Sequence, residues 1–322
     1  MITIDWTVPF FHTIFSSDNF DEIVSYENYN LKIEKFDDKV EISFKNTYST
    51  NVFIYEKDDK YWMCLNPYTM YEQFNKDDIY VRYKTFEKLI LTKNDYTFID
   101  DENTMWSVDI LSDEAIDILN KWIVKYKDII GNIDPKQFII EQSSGIDTRI
   151  LTYFWRNTGK TYDMFTILRE GEIEHSMDVI NFLNENFPSK SKVYNDYNDI
   201  PKDCPAICLC GLNLVNGKNE MIEFESYDKL CKERNNMTTE SFSFHFTKHE
   251  VCDIQPFVDK EYLKIKGEFN GQLKLVLFDI LASEKGLDKL PIVSFNNSLY
   301  DINNPDYPYK HIVEKIKDKL IY

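Results

Sequence analysis

The stretch FIIEQSSGIDTRILTYFW, Phe138 to Trp155, constrains the fold of this chain more than any other segment. Its hydrophobic period changes midway. Phe138, Ile139 and Ile140, preceded by Pro135, form a short aromatic and β-branched run of the kind that makes a buried strand. Ile146, Ile150, Leu151, Phe154 and Trp155 then recur at helical spacing. The polar break Gln142-Ser143-Ser144-Gly145 is therefore a strand-to-helix turn. Two readings of that turn are open. Its serines, its glycine and the free N–H groups of a helix's first turn suit a phosphate or pyrophosphate. The same residues also make an ordinary polar turn in which Ser143 or Ser144 caps the helix.

The surroundings of the stretch divide the chain. Residues 1 to about 110 hold short runs such as NLKIEKF, KVEISF, NVFIYEKDDKYWMCL and DIYVRYKTF, separated by Asp, Asn, Lys and Ser clusters, which predicts a mainly antiparallel β domain. In SDEAIDILNKWIVKYKDIIG, Ser112 can cap and Asp113 and Glu114 suit the first turn. Ala115, Ile116, Leu119, Ile123, Tyr126 and Ile130 form an apolar face before Gly131 ends the helix. From residue 136 onward, strand-like and helix-like segments alternate through FIIE, DTRILTYFWRNTG, TYDMFTIL, SMDVINFLNENF and AICLCG. Such alternation predicts a parallel sheet with helices, whose ligand site lies at the carboxyl ends of the strands. The expected domains are residues 1–112 and 113–322.

A length of 322 residues supports two domains with a real core. The formal charge of −18 opposes a phosphodiester backbone, so no nucleic-acid partner is expected. The start MITIDWTVPFF lacks the basic region and apolar core of a signal peptide, and no apolar run approaches a membrane span, so a cytoplasmic protein without a membrane partner is expected. The six cysteines, Cys64, Cys204, Cys208, Cys210, Cys231 and Cys252, contain no CxxC pair and read as free thiols. Cys208 and Cys210 would share a strand face, but with Cys204 they match no common zinc spacing and read as core residues. His245 and His249 have helical i, i+4 spacing without the Glu of HExxH, which favours a structural role.

Ser143-Ser144-Gly145-Ile146-Asp147-Thr148 resembles the SGGxDS signature of the PP-loop ATP pyrophosphatases, with Ser144 in place of the first glycine and Thr148 in place of the final serine. The second strand TYDMFTIL and the helix EHSMDVINFLNENF follow in the order found in the synthetase domain of asparagine synthetases. HEVCDIQPFVDKEYLKI is similar to that family's H-x6-PFLD segment through His249, Pro256, Phe257 and Asp259, and GQLKLVLFDILASEKGLDKLP resembles its helix ending in Leu-Pro. The resemblance runs discontinuously over about residues 113 to 295. It implies an α/β fold: a parallel-sheet PP-loop domain, adenine nucleotide alpha hydrolase-like, beside the smaller antiparallel β domain.

The resemblance also implies a site and a reaction. Ser143, Ser144, Gly145, Asp147 and Thr148 would hold the β- and γ-phosphates of ATP, and Leu168 at the end of the second strand would lie near the adenine. Asp147 would meet magnesium, a hard dication that takes oxygen ligands. Asp147 and Arg149 are the expected catalytic residues, with an exposed helix arginine as the other reading of Arg149. Ser176 and Asp178 match the start of the next helix, as caps or as ligand contacts. The implied activity is adenylation of a small-molecule or peptide carboxylate, followed by capture with ammonia or an amine and release of AMP and pyrophosphate.

Departures from the family are specific. Its glutamine-dependent members expose a cysteine after the initiator methionine, whereas this chain begins Met1-Ile2-Thr3 and has no cysteine before Cys64, so no glutaminase activity is expected. Asn213 and Asn216 stand where the family has carboxylates, and Asn296 and Asn297 stand near its charge-stabilising lysine. An amide supplies no charge to a transition state. The second functional reading is therefore a PP-loop relative without synthetase chemistry, serving as a nucleotide-binding or partner-binding subunit. A homo-oligomer or a protein partner stays open under both readings.

Overall fold

The computed structural model describes residues 7, 10–47, 52–74, 79–83, 86–100, 106–143, 145–167, 173–208, 220–223, 247–252, 254, 256–266, 272–282 and 309–322. The chain forms two compact units, and neither is a single stretch. Met1–Asn103 and Leu212–Val258 make the first, Thr104–Gly211 and Asp259–Tyr322 the second.

The first unit is antiparallel β structure. Its strands are β1 (Phe15–Ser16), β2 (Tyr26–Glu27), β3 (Leu31–Lys35), β4 (Lys39–Phe44), β5 (Val52–Lys57), β6 (Lys60–Cys64), β7 (Ile79–Tyr83), β8 (Phe86–Thr92) and β9 (Tyr96–Asp100). One sheet runs β2-β3-β4-β8-β9 and another contains β1-β6-β5-β7. The period of two decides which side chains point inward. Leu31, Ile33, Val40, Ile42, Leu89 and Leu91 from the first sheet share a core with Phe15, Val52, Ile54, Tyr61 and Met63 from the second. On the opposite face of β3, β4 and β8, Lys32 pairs with Glu34, and Lys39 and Lys88 both pair with Glu41. The far face of β5 and β6 carries Tyr55 and Trp62, which pack on Phe74 of helix α1 (Pro67–Phe74) with ring centroids 4.6 and 5.3 Å away.

The second unit opens with α2 (Asp113–Gly131), where Ser112 accepts the Ala115 N–H at 3.1 Å as the expected cap. The helix runs through Gly131, and Asn132 rather than glycine closes it. Lys160 donates to the carbonyls of Gly131 and Ile133, setting a cation at the negative end of the helix. Four strands of a parallel sheet follow: β10 (Phe138–Glu141), β11 (Met164–Ile167), β12 (Ser191–Tyr194) and β13 (Ala206–Cys208), ordered β12-β11-β10-β13. Helix α3 (Ile146–Asn157) links β10 to β11, and α4 (Ile173–Asn186) links β11 to β12. Gly159, at φ +68°, supplies the left-handed residue that turns the chain after α3. Trp122 of α2 stands 5.6 Å from Phe154 of α3 and 5.2 Å from Tyr262, centroid to centroid, at the heart of this unit's core.

The later pass adds to both units. Strand β14 (Glu220–Glu223) pairs antiparallel with β7, so this part of the chain returns to the first unit. Helix α5 (Gln272–Leu277) continues into a π-helical turn over Phe278–Ala282 in the second unit. The chain is thus an α/β protein with a parallel sheet and separate antiparallel sheets. No helix among the described residues is long and apolar enough to cross a membrane. Cys64, Cys204, Cys208 and Cys252 are free thiols, the first two strand cysteines, Cys64 and Cys208, being wholly buried.

Candidate functional site

The turn from β10 to α3 is laced from inside. The Thr148 hydroxyl lies 2.8 Å from Ser143 Oγ, 3.0 Å from the Ser143 carbonyl and 3.1 Å from the Gly145 carbonyl, and it receives the Ser143 N–H at 3.3 Å. Ser143 Oγ in turn accepts the Gly145 N–H at 3.1 Å. These bonds fix the loop without using the helix's first-turn donors. The N-cap is Gly145, which has no side chain to cap the first turn of α3, so among the described residues Ser143 is not the cap that the plain polar-turn reading expects. Space is tight as well. A Cβ added at Gly145 would stand 3.2 Å from Ser143 Oγ.

Behind the turn lies a buried polar layer that the sequence reading did not anticipate. Gln142 is 2% exposed, accepts from the Thr152 hydroxyl at 2.6 Å and takes the Phe165 carbonyl with its backbone N–H at 2.7 Å. Thr166 donates to the Gln142 carbonyl at 2.6 Å and meets Ser191 Oγ at 2.8 Å. On the other face of β10, Tyr197 donates to the buried Glu141 carboxylate at 2.7 Å. These bonds tie the carboxyl end of β10 to β11, to helix α3 and to the turn at Tyr197, beneath the loop.

Asp147 lies in the first turn of α3, and its Oδ1 is 3.2 Å from Lys274 Nζ on α5, with side chains 15% and 10% exposed. The contact is an ion pair rather than an aligned hydrogen bond, since Asp147 Oδ1 is buried without a hydrogen bond among the described residues. Lys274 was missed from the sequence. The available signal was a lone lysine inside the apolar run QLKLVL, where Leu273, Leu275, Val276 and Leu277 are all buried. A buried ammonium needs a partner, and the pair places one positive and one negative charge beside the open end of a helix.

Arg149 has no exposed surface, so it is not an exposed helix arginine. Its guanidinium sits 5.5 Å from the centre of the Phe278 ring, and burial pushes its pKa down to about 10, which leaves it charged at neutral pH. Ser176 lies in the fourth position of α4, inside its first turn rather than at the cap, because the helix starts at Ile173; Asp178 follows it and is exposed. Ser144, Leu168, Asn213, Asn216, Asn296, Asn297 and His245 lie outside the described residues.

The segment that resembles H-x6-PFLD has a structural use in its last residue. Asp259 is 1% exposed and pairs with Lys125 at 2.5 Å and the Tyr126 hydroxyl at 3.0 Å, both on α2. Its other oxygen accepts the N–H groups of Glu261 and Tyr262, so it starts the turn that follows. The residues around Asp147 fit a nucleotide phosphate through N–H donors and the Lys274 ammonium. For a dication they offer the Asp147 carboxylate, and no group of three or more His, Cys, Asp or Glu side chains suited to a metal occurs among the described residues. No protein-family model matches the chain, and no curated protein matches it.

Proposed function

We propose that the β10–α3 turn binds the phosphates of ATP and that the chain uses ATP to adenylate a carboxylate for amide-bond formation. The observation that carries this reading is the first turn of α3, begun by an N-cap glycine without a capping side chain, at the carboxyl edge of a parallel sheet beside Asp147 and Lys274. A helix start of this kind favours anions through its N–H groups and its dipole, and a neighbouring ammonium adds charge. The likeness of Ser143 to Thr148 to the PP-loop signature, with the order of segments seen in asparagine synthetases, supports adenylation over γ-phosphoryl transfer.

In this reaction a carboxylate oxygen attacks the α-phosphorus, the bond from that phosphorus to the bridging oxygen breaks, and pyrophosphate departs. An amine or ammonia then attacks the acyl carbon, loses a proton, and AMP leaves. The chain's contribution is positional and electrostatic: α3 holds the β,γ-phosphates, Lys274 neutralises part of their charge, and the Ser143–Thr148 lacing keeps the loop in shape. Magnesium, when bound, offsets phosphate charge, with Asp147 as the residue to hold it.

The second reading is a nucleotide-binding or partner-binding subunit. It is favoured by the engagement of Asp147 with Lys274 and by the asparagines at 213, 216, 296 and 297. Two measurements separate the readings. ATP calorimetry on wild type, Asp147→Ala and Gly145→Val tests the site, and unchanged affinity in both variants would sink it. Exchange of labelled pyrophosphate into ATP across amino acids, sugar acids and peptide carboxylates tests the chemistry. Exchange supports the synthetase, ADP formation contradicts it, and ATP binding without exchange for any acid leaves the subunit reading.

A further inference from the structure

Helix α5 and its π-helical continuation reach α3 at two points. Lys274 sets its ammonium 3.2 Å from Asp147 Oδ1, and four residues on Phe278 faces Arg149, whose guanidinium carbon lies 5.5 Å from the ring centre. Leu273, Leu275, Val276 and Leu277 are all buried, so the lysine sits in a packed helix and brings its charged head to the first turn of α3. The Lys274 and Asp147 side chains keep 10% and 15% of their surface exposed, and Asp147 Oδ1 has no hydrogen bond among the described residues. Opposite charges held without an aligned hydrogen bond separate more readily than a charge-assisted bonded pair.

We propose, on the reading of the β10–α3 turn as a phosphate site, that Lys274 and Asp147 form a counter-ion gate, which makes the turn accept a polyphosphate together with magnesium and resist either one alone. In the closed pair the two charges offset each other. A metal-free polyphosphate that draws Lys274 to itself leaves the Asp147 carboxylate beside further negative oxygens. Magnesium that draws Asp147 leaves the Lys274 ammonium beside a dication. Like charges in a mostly buried position are poorly screened, so each ligand by itself is opposed. When both arrive, phosphate oxygens answer Lys274 and the N–H groups of α3, and magnesium answers Asp147. One carboxylate is enough for this, because magnesium on a nucleotide takes its other ligands from phosphates and water. By linkage each ligand then raises the protein's affinity for the other, and couplings of this kind run from about 5- to 150-fold.

Calorimetry on the full chain at constant ionic strength tests the gate with three probes: ATP with magnesium, ATP in EDTA, and magnesium chloride alone. Wild type is expected to bind ATP about tenfold or more tightly with magnesium than without it. The neutral variants are expected to shift in crossed directions. Lys274→Met should tighten magnesium alone by about tenfold, while Asp147→Asn should tighten metal-free ATP by about tenfold and lose the magnesium preference. Lys274→Arg keeps the charge and is expected to keep the preference. A pair that only holds two helices together gives no such crossing, so variants that weaken every probe, or change none, overturn the gate. Wild-type ATP affinity that is equal with and without magnesium overturns the gate while the phosphate site stands. Absence of ATP binding in both conditions defeats the phosphate site, and the gate with it. If neither neutral variant folds, wild type and Lys274→Arg decide: equal affinity with and without magnesium in either refutes the gate, and a preference of about tenfold or more in both upholds it.

Discussion

Lys274 and Asp147 belong to helices far apart in sequence, yet their charges meet at 3.2 Å in a position where both side chains are mostly buried. Removing either charge takes from the other its opposite charge in a poorly solvated place. Lys274→Met and Asp147→Asn are each expected to destabilise by about 2–4 kcal/mol, toward the lower end for a pair that keeps some exposure, and the double variant by less than the sum. Urea unfolding of the four proteins measures the coupling. A value near zero would show that the pair does not hold α3 to α5.

Gly145 separates loop geometry from ligand approach. Its backbone, at φ −69° and ψ 158°, suits any residue, so the contact of an added Cβ with Ser143 Oγ, at 3.2 Å, is the local cost of alanine there. Gly145→Ala is expected to change stability by less than about 1 kcal/mol. Gly145→Val is expected to weaken ATP binding about tenfold or more, the equivalent of one lost charge-assisted hydrogen bond. Calorimetry and thermal melts on the same samples check both.

Arg156, at the end of α3, stacks on Phe187, and its three guanidinium nitrogens are buried without an acceptor among the described residues. Burial pushes its pKa down to about 9. For a base with a depressed folded pKa, the charged form opposes folding, fully so below pH 9 and less as pH rises toward the ordinary arginine value. Arg156→Met is therefore expected to stabilise the protein at pH 7 by about 1–2 kcal/mol, with the advantage shrinking by pH 10. Denaturation at the two pH values measures it; a variant less stable than wild type at pH 7 would reveal an acceptor for the guanidinium.

Asp259 anchors a turn to α2 through Lys125, Tyr126 and two backbone N–H groups. Asp259→Ala leaves the Tyr126 hydroxyl and those N–H groups without this acceptor and is expected to cost about 3–5 kcal/mol. Asp259→Asn restores part of the hydrogen bonding and is expected to recover about half. Chemical denaturation ranks the three, and equal stability of wild type and Asp259→Ala would deny the anchor.

Much of the architecture was legible in local pattern. The period-two runs Leu31-Lys32-Ile33 and Val40-Glu41-Ile42 became half-buried strands, and the helical spacing from Ala115 to Ile130 became α2 capped by Ser112. The break at Gln142–Gly145 became the strand-to-helix turn, because a change of period marks a change of backbone geometry wherever it falls. The cap inside that turn was less legible: serine, glycine and threonine can exchange the same few hydrogen bonds, and the chosen set has Thr148 lacing Ser143 while Gly145 stands at the cap.

The sequence by itself determined element types, the inward faces and the absence of any long apolar helix among the described residues, since these follow from each residue's nearest neighbours along the chain. Only the tertiary structure decided that Glu220–Glu223 pairs with Ile79–Tyr83, that Lys274 meets Asp147, that Asn66 reaches His12, and that Asp259 locks onto Lys125. Strand ladders and ion pairs join residues by proximity in space, and local spacing carries no record of a distant partner. A lysine in an apolar helix or a buried asparagine announces that a partner is required; which residue answers is settled by packing.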